Sequence, residues 1–241
     1  MNKKISLWGT VLSYVGAGLF LLIYFIKTFS KTGVVSAIER LGYMTIVCLL
    51  IILGTYIFCK DKQKKERKSI IKNAILAMFT IYAIMLFSYT LFDDYFGRFG
   101  LRTNNWSIET FKVYFKYSFN IIPLKTILEI TIKTIAENIS FGYFLTNIIG
   151  NIVAFMPLSI FLPLTFKEID TFKRFLITVL LISFGIELLQ LLGLCGSFDI
   201  DDVILNVTGA CLLYKILDKT QLMKKLKKIK QGENLTKKVK N

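Results

Sequence analysis

The sequence predicts an all-α fold: a polytopic transmembrane helical bundle of about six spans, with one further amphipathic helix lying in the membrane interface. Three observations carry that prediction. Hydrophobic residues make up 54% of the 241 positions and the mean hydropathy is +0.57, above the roughly 45–50% apolar share of a soluble chain. Several windows reach the ~20 apolar residues that a helix needs to cross hydrocarbon. The 31 Lys and Arg, against 16 Asp and Glu, give a net charge of +15. They gather in runs between the apolar windows, as in cytoplasmic loops and unlike a nucleic-acid surface. Membrane lipids are therefore the expected surroundings, and nucleic acid is not expected as a partner.

In chain order, the first span is expected at Leu7–Ile26, preceded by Lys3 and Lys4 without a small-residue cleavage site, the pattern of an uncleaved signal anchor. Its Gly16, Ala17 and Gly18 suit close helix packing. A second span at Leu41–Cys59 leads into the basic run Lys60–Lys72, and a third covers Ile70–Phe92. A long, more polar segment runs from Asp93 to Phe141, with Trp106, Tyr114 and Tyr117 as interface aromatics. Within it, Leu124–Ile139 repeats apolar residues at steps of three and four: Leu124, Ile127, Leu128, Ile132, Ile135 and Ile139. Lys125, Glu129, Lys133 and Glu137 alternate in charge on another face, which makes this the interfacial helix, or a lid packed on the spans. A fourth span is expected at Tyr143–Leu164, broken by Pro157 and ending near Pro163. A fifth covers Phe172–Leu194 and a sixth Val203–Leu217, followed by a Lys-rich tail with Leu222, Leu226 and Ile229 at helical spacing. The domain division expected from this pass is a two-span region at 1–69, a membrane domain at 70–218 and a basic tail at 219–241.

Six spans place 22 of the basic residues on one side and 9 on the other. By the positive-inside rule both termini are then cytoplasmic, and the loop Gly193–Asp202 faces outward in a multi-pass protein of the cell membrane. The four cysteines form no metal-binding or disulfide spacing, and the chain has no histidine, which removes the commonest general base and the usual zinc and haem ligands. No cofactor is expected.

Polar residues inside apolar sequence are the candidates for function, because an ionised side chain at mid-span costs about 2.5–3.5 kcal/mol on insertion scales. They concentrate between Glu187 and Gly209. Glu187 and Gln190 lie one turn apart in the fifth span, Asp199, Asp201 and Asp202 follow, and Asn206 and Gly209 enter the sixth. Asn147 and Asn151, four apart in the fourth span, fall at a comparable depth. Asp199, Asp202, Asn206 and Gly209 make one helical stripe, with the acids at a helix N-terminus and Gly209 open to a close neighbour. Three readings fit this set: interhelical hydrogen bonding with an N-cap, a cation site using Asp199, Asp201 and Asp202, or an outer-leaflet pocket for a lipid head group or amphiphile. The acids lack the spacing of a calcium loop, so the metal signal is weak.

The segments NIIGNIVAFMPLSIFLPL (Asn147–Leu164), SFGIELLQ (Ser183–Gln190) and SFDIDDVILNVTGACLLY (Ser197–Tyr214), with NIIP (Asn120–Pro123) upstream, resemble the VanZ-like family. The resemblance covers about Tyr89–Tyr214. It implies that Asn120, Pro123, Asn147, Asn151, Phe155, Pro157, Glu187, Gln190, Asp199, Asp202, Asn206 and Gly209 are motif positions. Ser159 and Leu213 stand where glycines are common in the family. Cys195 and Gly196 stand where an Arg often precedes the Phe-Asp element, a role that would pass to Arg98 or Arg102. The family's namesake is an accessory teicoplanin-resistance protein. The resemblance therefore implies a non-enzymatic membrane factor that lowers susceptibility to lipid-anchored glycopeptides, its partner being the teicoplanin-like molecule or a cell-wall lipid precursor. The alternatives are an enzyme acting on an envelope lipid head group, with Glu187 as base, and a transporter relaying through Glu187.

Overall fold

A computed structural model of the chain describes residues 3–29, 37–91, 106–136, 140–220 and 223–224. The interfacial residues Glu137 and Ile139, the two arginines Arg98 and Arg102, and the tail positions Leu222, Leu226 and Ile229 lie outside the described residues. Among the described residues the fold is helical, apart from one pair of two-residue strands. Among the described residues, five helical stretches are long and apolar enough to cross a membrane: Ser6–Thr28, Glu39–Cys59, Lys64–Leu91, Phe141–Thr165 and Phe172–Leu192. The sixth expected span lies within a continuous helix, Ile200–Asp218, whose ends carry Asp201, Asp202, Lys215 and Asp218 and keep it outside that group.

The chain forms two compact units. The first comprises residues 1–82, 161–168 and 217–241. In it α1 (Lys3–Phe29) and α2 (Ala37–Cys59) form an antiparallel pair. Gly9 meets Ile57, Gly16 meets Leu50, and a Cβ on Gly54 would come within 3.1 Å of Ser13 and 3.3 Å of the Tyr14 ring. Small residues thus set the closeness of the pair, but not the expected trio alone. Gly18 has nothing within 4 Å and faces open space, while Ala17 is buried with Val47 and Ile51. Helix α3 (Lys64–Leu91) starts inside the basic run, earlier than apolarity predicted. Arg67 closes the preceding turn by donating to the carbonyls of Lys60 (2.7 Å) and Lys62 (2.8 Å).

The second unit comprises residues 83–160 and 169–216. The described part of the long polar segment holds two helices joined by a tight connection: α4 (Ile108–Ser118), strand β1 (Phe119–Asn120) and α5 (Lys125–Ala136). Only the second helix was legible as a periodic pattern. The fourth span is segmented into α6 (Phe141–Phe144), a π-helical turn (Leu145–Ile149), α7 (Gly150–Phe155) and α8 (Leu158–Thr165). Pro157 interrupts it as expected, and Pro163 lies in the last turn of α8, which ends at Thr165. Helix α9 (Phe172–Leu192), capped by the Thr171 hydroxyl, runs antiparallel to α10 (Ile200–Asp218). Asn206 lies opposite Ser183, and Tyr214 stacks on Phe175 at 4.4 Å.

The end of α9 differs from a glycine stop. Gly193 keeps a right-handed conformation, and the left-handed position falls on Leu194 (φ 53°). The Leu194 amide donates to Leu191 and the Cys195 amide to Gln190, the paired bonds of a Schellman end. A non-glycine residue there costs about 1–2 kcal/mol, against which stands the burial of the Leu194 side chain.

Gly209 of α10 sits directly on the backbone of α7. A Cβ there would come 2.0 Å from the Ile152 carbonyl oxygen. Overpacking of a fixed backbone costs about 3 kcal/mol or more. Gly209→Ala is expected to lower the thermal midpoint of the detergent-solubilised protein by several degrees, whereas Gly185→Ala, with nothing within 4 Å of the added methyl, leaves it within a degree or two.

Candidate functional site

The polar residues assemble around the connection between α4 and α5. Strand β1 pairs in parallel with β2 (Phe198–Asp199), placing Asn120 beside Asp199. Trp106 donates its indole N–H to the Leu192 carbonyl, at the end of α9 (3.0 Å). Further along, Tyr114 donates to the Gly196 carbonyl (3.0 Å). Phe115, Phe119, Phe198 and Phe184 continue the contact as successive ring pairs at 4.5, 5.0 and 5.3 Å. The chain after α9 therefore turns back along that helix, and α4 descends beside it. The Asp199 amide donates to Glu187 Oε2 (3.1 Å), and Glu187 lies five residues, about 8 Å, before the end of α9. The acids begin α10 at that depth and not at the level where α9 ends, as equal spans would have it.

This geometry leaves the backbone between Asn120 and Ile127 outside any regular ladder, and the acids supply its partners. Asp201, fully buried, accepts from the Leu124 amide (2.5 Å) and the Ile127 amide (3.1 Å), capping the start of α5. Asp199 accepts from the Asn120 amide group (3.1 Å), the Thr126 hydroxyl (2.5 Å) and the Asp201 amide (2.9 Å). Asn120 in turn donates to Thr126 (3.0 Å) and accepts from the Ile122 amide (3.2 Å). Pro123 brings no N–H to satisfy. Leu124 takes a left-handed conformation (φ 66°) to enter α5. The Asn-x-x-Pro element is thus a turn whose donors are met by carboxylates about 75 residues away.

The remaining candidates find partners on several different elements. Asp202, half-buried, accepts from Asn151 of α7 (2.6 Å). Asn206, two turns of the same stripe away from Asp199, faces α9 and donates to Ser183 (2.9 Å). Gln190 donates to the Thr90 carbonyl of α3 (2.8 Å), and its own carbonyl takes the Cys195 amide. Asn147 donates to the Tyr143 carbonyl one turn back (2.8 Å), within the π-helical segment and apart from the acids. Phe155 is buried, and Pro157 is half-buried at the break before α8. Sequence reasoning gave Asp201 only a weak metal role, and it missed Thr126, Ser183, Thr90 and Tyr114 as partners. Hydroxyl residues within apolar helices carry no signal until their neighbours are known.

Asp199 and Asp201 already accept from N–H and O–H donors, and no group of three Cys, Asp or Glu side chains converges among the described residues.

Around this core α5 shows three faces. Ile130 is buried with Ile148 and Leu205. Leu128, Ile132 and Ile135 form an exposed apolar stripe, continued by Ile121, Ile122 and Leu124 at the turn. Lys125, Glu129 and Lys133 make a third, charged face. One side of the helix thus packs on the neighbouring helices, as a lid would, and the other leaves an apolar stripe exposed.

A helical membrane protein, with an internal hairpin held from below by carboxylates, is the class that these features define. The VanZ/LLP1 family model matches residues 79–220, and the chain belongs to that family. It is similar to Protein VanZ of Enterococcus faecium, 32% identical over 124 residues that cover 48% of this chain and 73% of that protein. No solved structure matches.

Removing the Asp201 carboxylate leaves two part-buried amides unmet, each costing up to about 1–3 kcal/mol. Asp201→Ala is expected to destabilise the protein by about 3 kcal/mol and to open residues 121–127 to protease and to fast amide exchange. Asp201→Asn, which keeps one acceptor oxygen, is expected to fall between the two proteins.

Proposed function

We propose that the protein is a non-enzymatic membrane factor that lowers susceptibility to lipid-anchored glycopeptides of the teicoplanin type, through a half-exposed polar site in the outer leaflet. One observation carries the reading. Asp199 and Asp201 are consumed in holding the hairpin, whereas Asp202 and Asn151 remain half-exposed. The exposed apolar stripe of α5 lies on the hairpin that packs over this region through Ile130, Ile148 and Leu205. A polar pair beside an apolar strip suits an amphiphile: an acyl chain along Leu128, Ile132 and Ile135, and a polar head at Asp202. The antibiotic's acyl chain and a cell-wall lipid precursor share that chemistry. Carboxylates already committed as hydrogen-bond acceptors are poorly placed as proton-transfer groups, which favours binding over catalysis.

The orientation follows from charge. With α10 counted as a sixth, shortened span, both termini are cytoplasmic and the α4–α5 hairpin enters from the outer face. Non-helical backbone at membrane depth is tolerated where protein covers it, which is the work of Asp199, Asp201 and Asn120.

Cells carrying the protein are expected to tolerate several-fold more teicoplanin than cells without it, with vancomycin, which lacks the acyl chain, unaffected. Asp202→Asn, at equal membrane abundance, should return teicoplanin tolerance to baseline. Undiminished tolerance in that variant would sink the reading. For topology, a green fluorescent protein fused after Asn241 is expected to fluoresce and an alkaline phosphatase at the same point to stay inactive; the opposite pair of results reverses the orientation.

A further inference from the structure

The first unit carries a feature that the hairpin does not use. Helices α1 and α3 stand apart over α2 and enclose an open groove of about 680 Å³, with Val47 and Ile51 at its base. Its walls are narrow because the residues are small: Gly18 and Ala17 on one side, Ala74 and Ala77 on the other. The groove runs from Leu7 and Ile70 at one end to Leu21 and Ile81 at the other. Leu7 to Leu21 is fourteen residues, about 21 Å of helix, enough to line one leaflet of a hydrocarbon core about 30 Å thick.

The Thr10 and Tyr14 hydroxyls in the walls are already satisfied. The Thr10 hydroxyl donates to the Ser6 carbonyl (2.9 Å), and Tyr14 and Thr55 share a hydrogen bond (3.0 Å). An occupant therefore meets hydrocarbon along most of the length. The Leu7 end differs. Phe58 lines it, and the Lys62 ammonium stands 5.2 Å over that ring. Arg67 lies one turn before Ile70. Glu66, 3.9 Å from Lys62, and Asp61 are the acids of this stretch, against Lys60, Lys62, Lys64, Lys65, Arg67 and Lys68. Asn73, one turn inside the mouth, offers an amide at the depth of a glycerol ester.

We propose that this groove binds one anionic glycerophospholipid, its acyl chain between α1 and α3 and its phosphate at the cationic end beside Lys62. The dimensions select an acyl chain, and the excess positive charge selects an anionic head. This site lies almost wholly before residue 79, where the family match begins, and it stands apart from the glycopeptide reading.

The test is native mass spectrometry of the full-length protein, released from detergent with equimolar phosphatidylglycerol and phosphatidylcholine of identical chains. One phosphatidylglycerol is expected to be retained at least fivefold over phosphatidylcholine. Gly18→Leu, which places side-chain atoms in the open groove without meeting a neighbour within 4 Å at its Cβ, should cut retention of both lipids at least fivefold at an unchanged thermal midpoint. Lys62→Gln, a surface change, should at least halve the preference for phosphatidylglycerol and leave phosphatidylcholine as it was. Equal retention of the two lipids by the wild-type protein, or unaltered retention in Gly18→Leu or preference in Lys62→Gln, overturns the proposal.

Discussion

The second unit depends on one constraint: backbone that leaves a helix among apolar spans must find hydrogen-bond partners from the protein itself. The turn between Asn120 and Ile127 meets it with two side chains from the far end of the domain. Asp201 takes two amides at the start of α5, and Asp199 gathers Asn120 and Thr126. Each acid also lies at a helix start, where the local dipole favours negative charge. The pairing of Asn120 with Asp199 in the β1–β2 register then follows, as does the depth at which α10 begins.

Much of this was legible in the sequence. The helical class, four of the spans to within a few residues, the Pro157 break and the close approach at Gly209 follow from apolar length and residue size. The polar candidates were found from the cost of placing them in apolar sequence. What stayed hidden is which partner each would choose. Asp199, Asp202, Asn206 and Gly209 share one stripe by spacing, yet Asp202 and Gly209 turn to α7 while Asn206 turns to α9. Periodicity fixes a face of one helix and says nothing of how many neighbours that face meets. Helix α4 escaped notice although Glu109, Lys112 and Lys116 share one of its faces, because it is short and its aromatics suggested only an interface. Leu194 escaped because two glycines flank it and either would have suited its conformation better.

The division among the four acids matters more than their number. Glu187 and Asp199 are joined through one amide, Asp201 belongs to α5, and Asp202 belongs with Asn151. Three of them act as struts, so losing any of these disturbs a fold before it disturbs a ligand. The π-helical turn sharpens the contrast. It widens the helix at Leu145–Ile149, a distortion found often at functional sites, and Asn147 uses its side chain to satisfy the Tyr143 carbonyl there.

The separation between the hairpin and its acids has a consequence for biosynthesis. Leu124 leaves the ribosome long before Asp201, 77 residues later, and synthesis proceeds at about 5–20 residues per second. For several seconds the nascent turn has no partner for its amides. It takes its final place only when α10 has been made. The last helix of the domain thus completes an earlier one, and a chain cut short before Ile200 would leave the hairpin unseated.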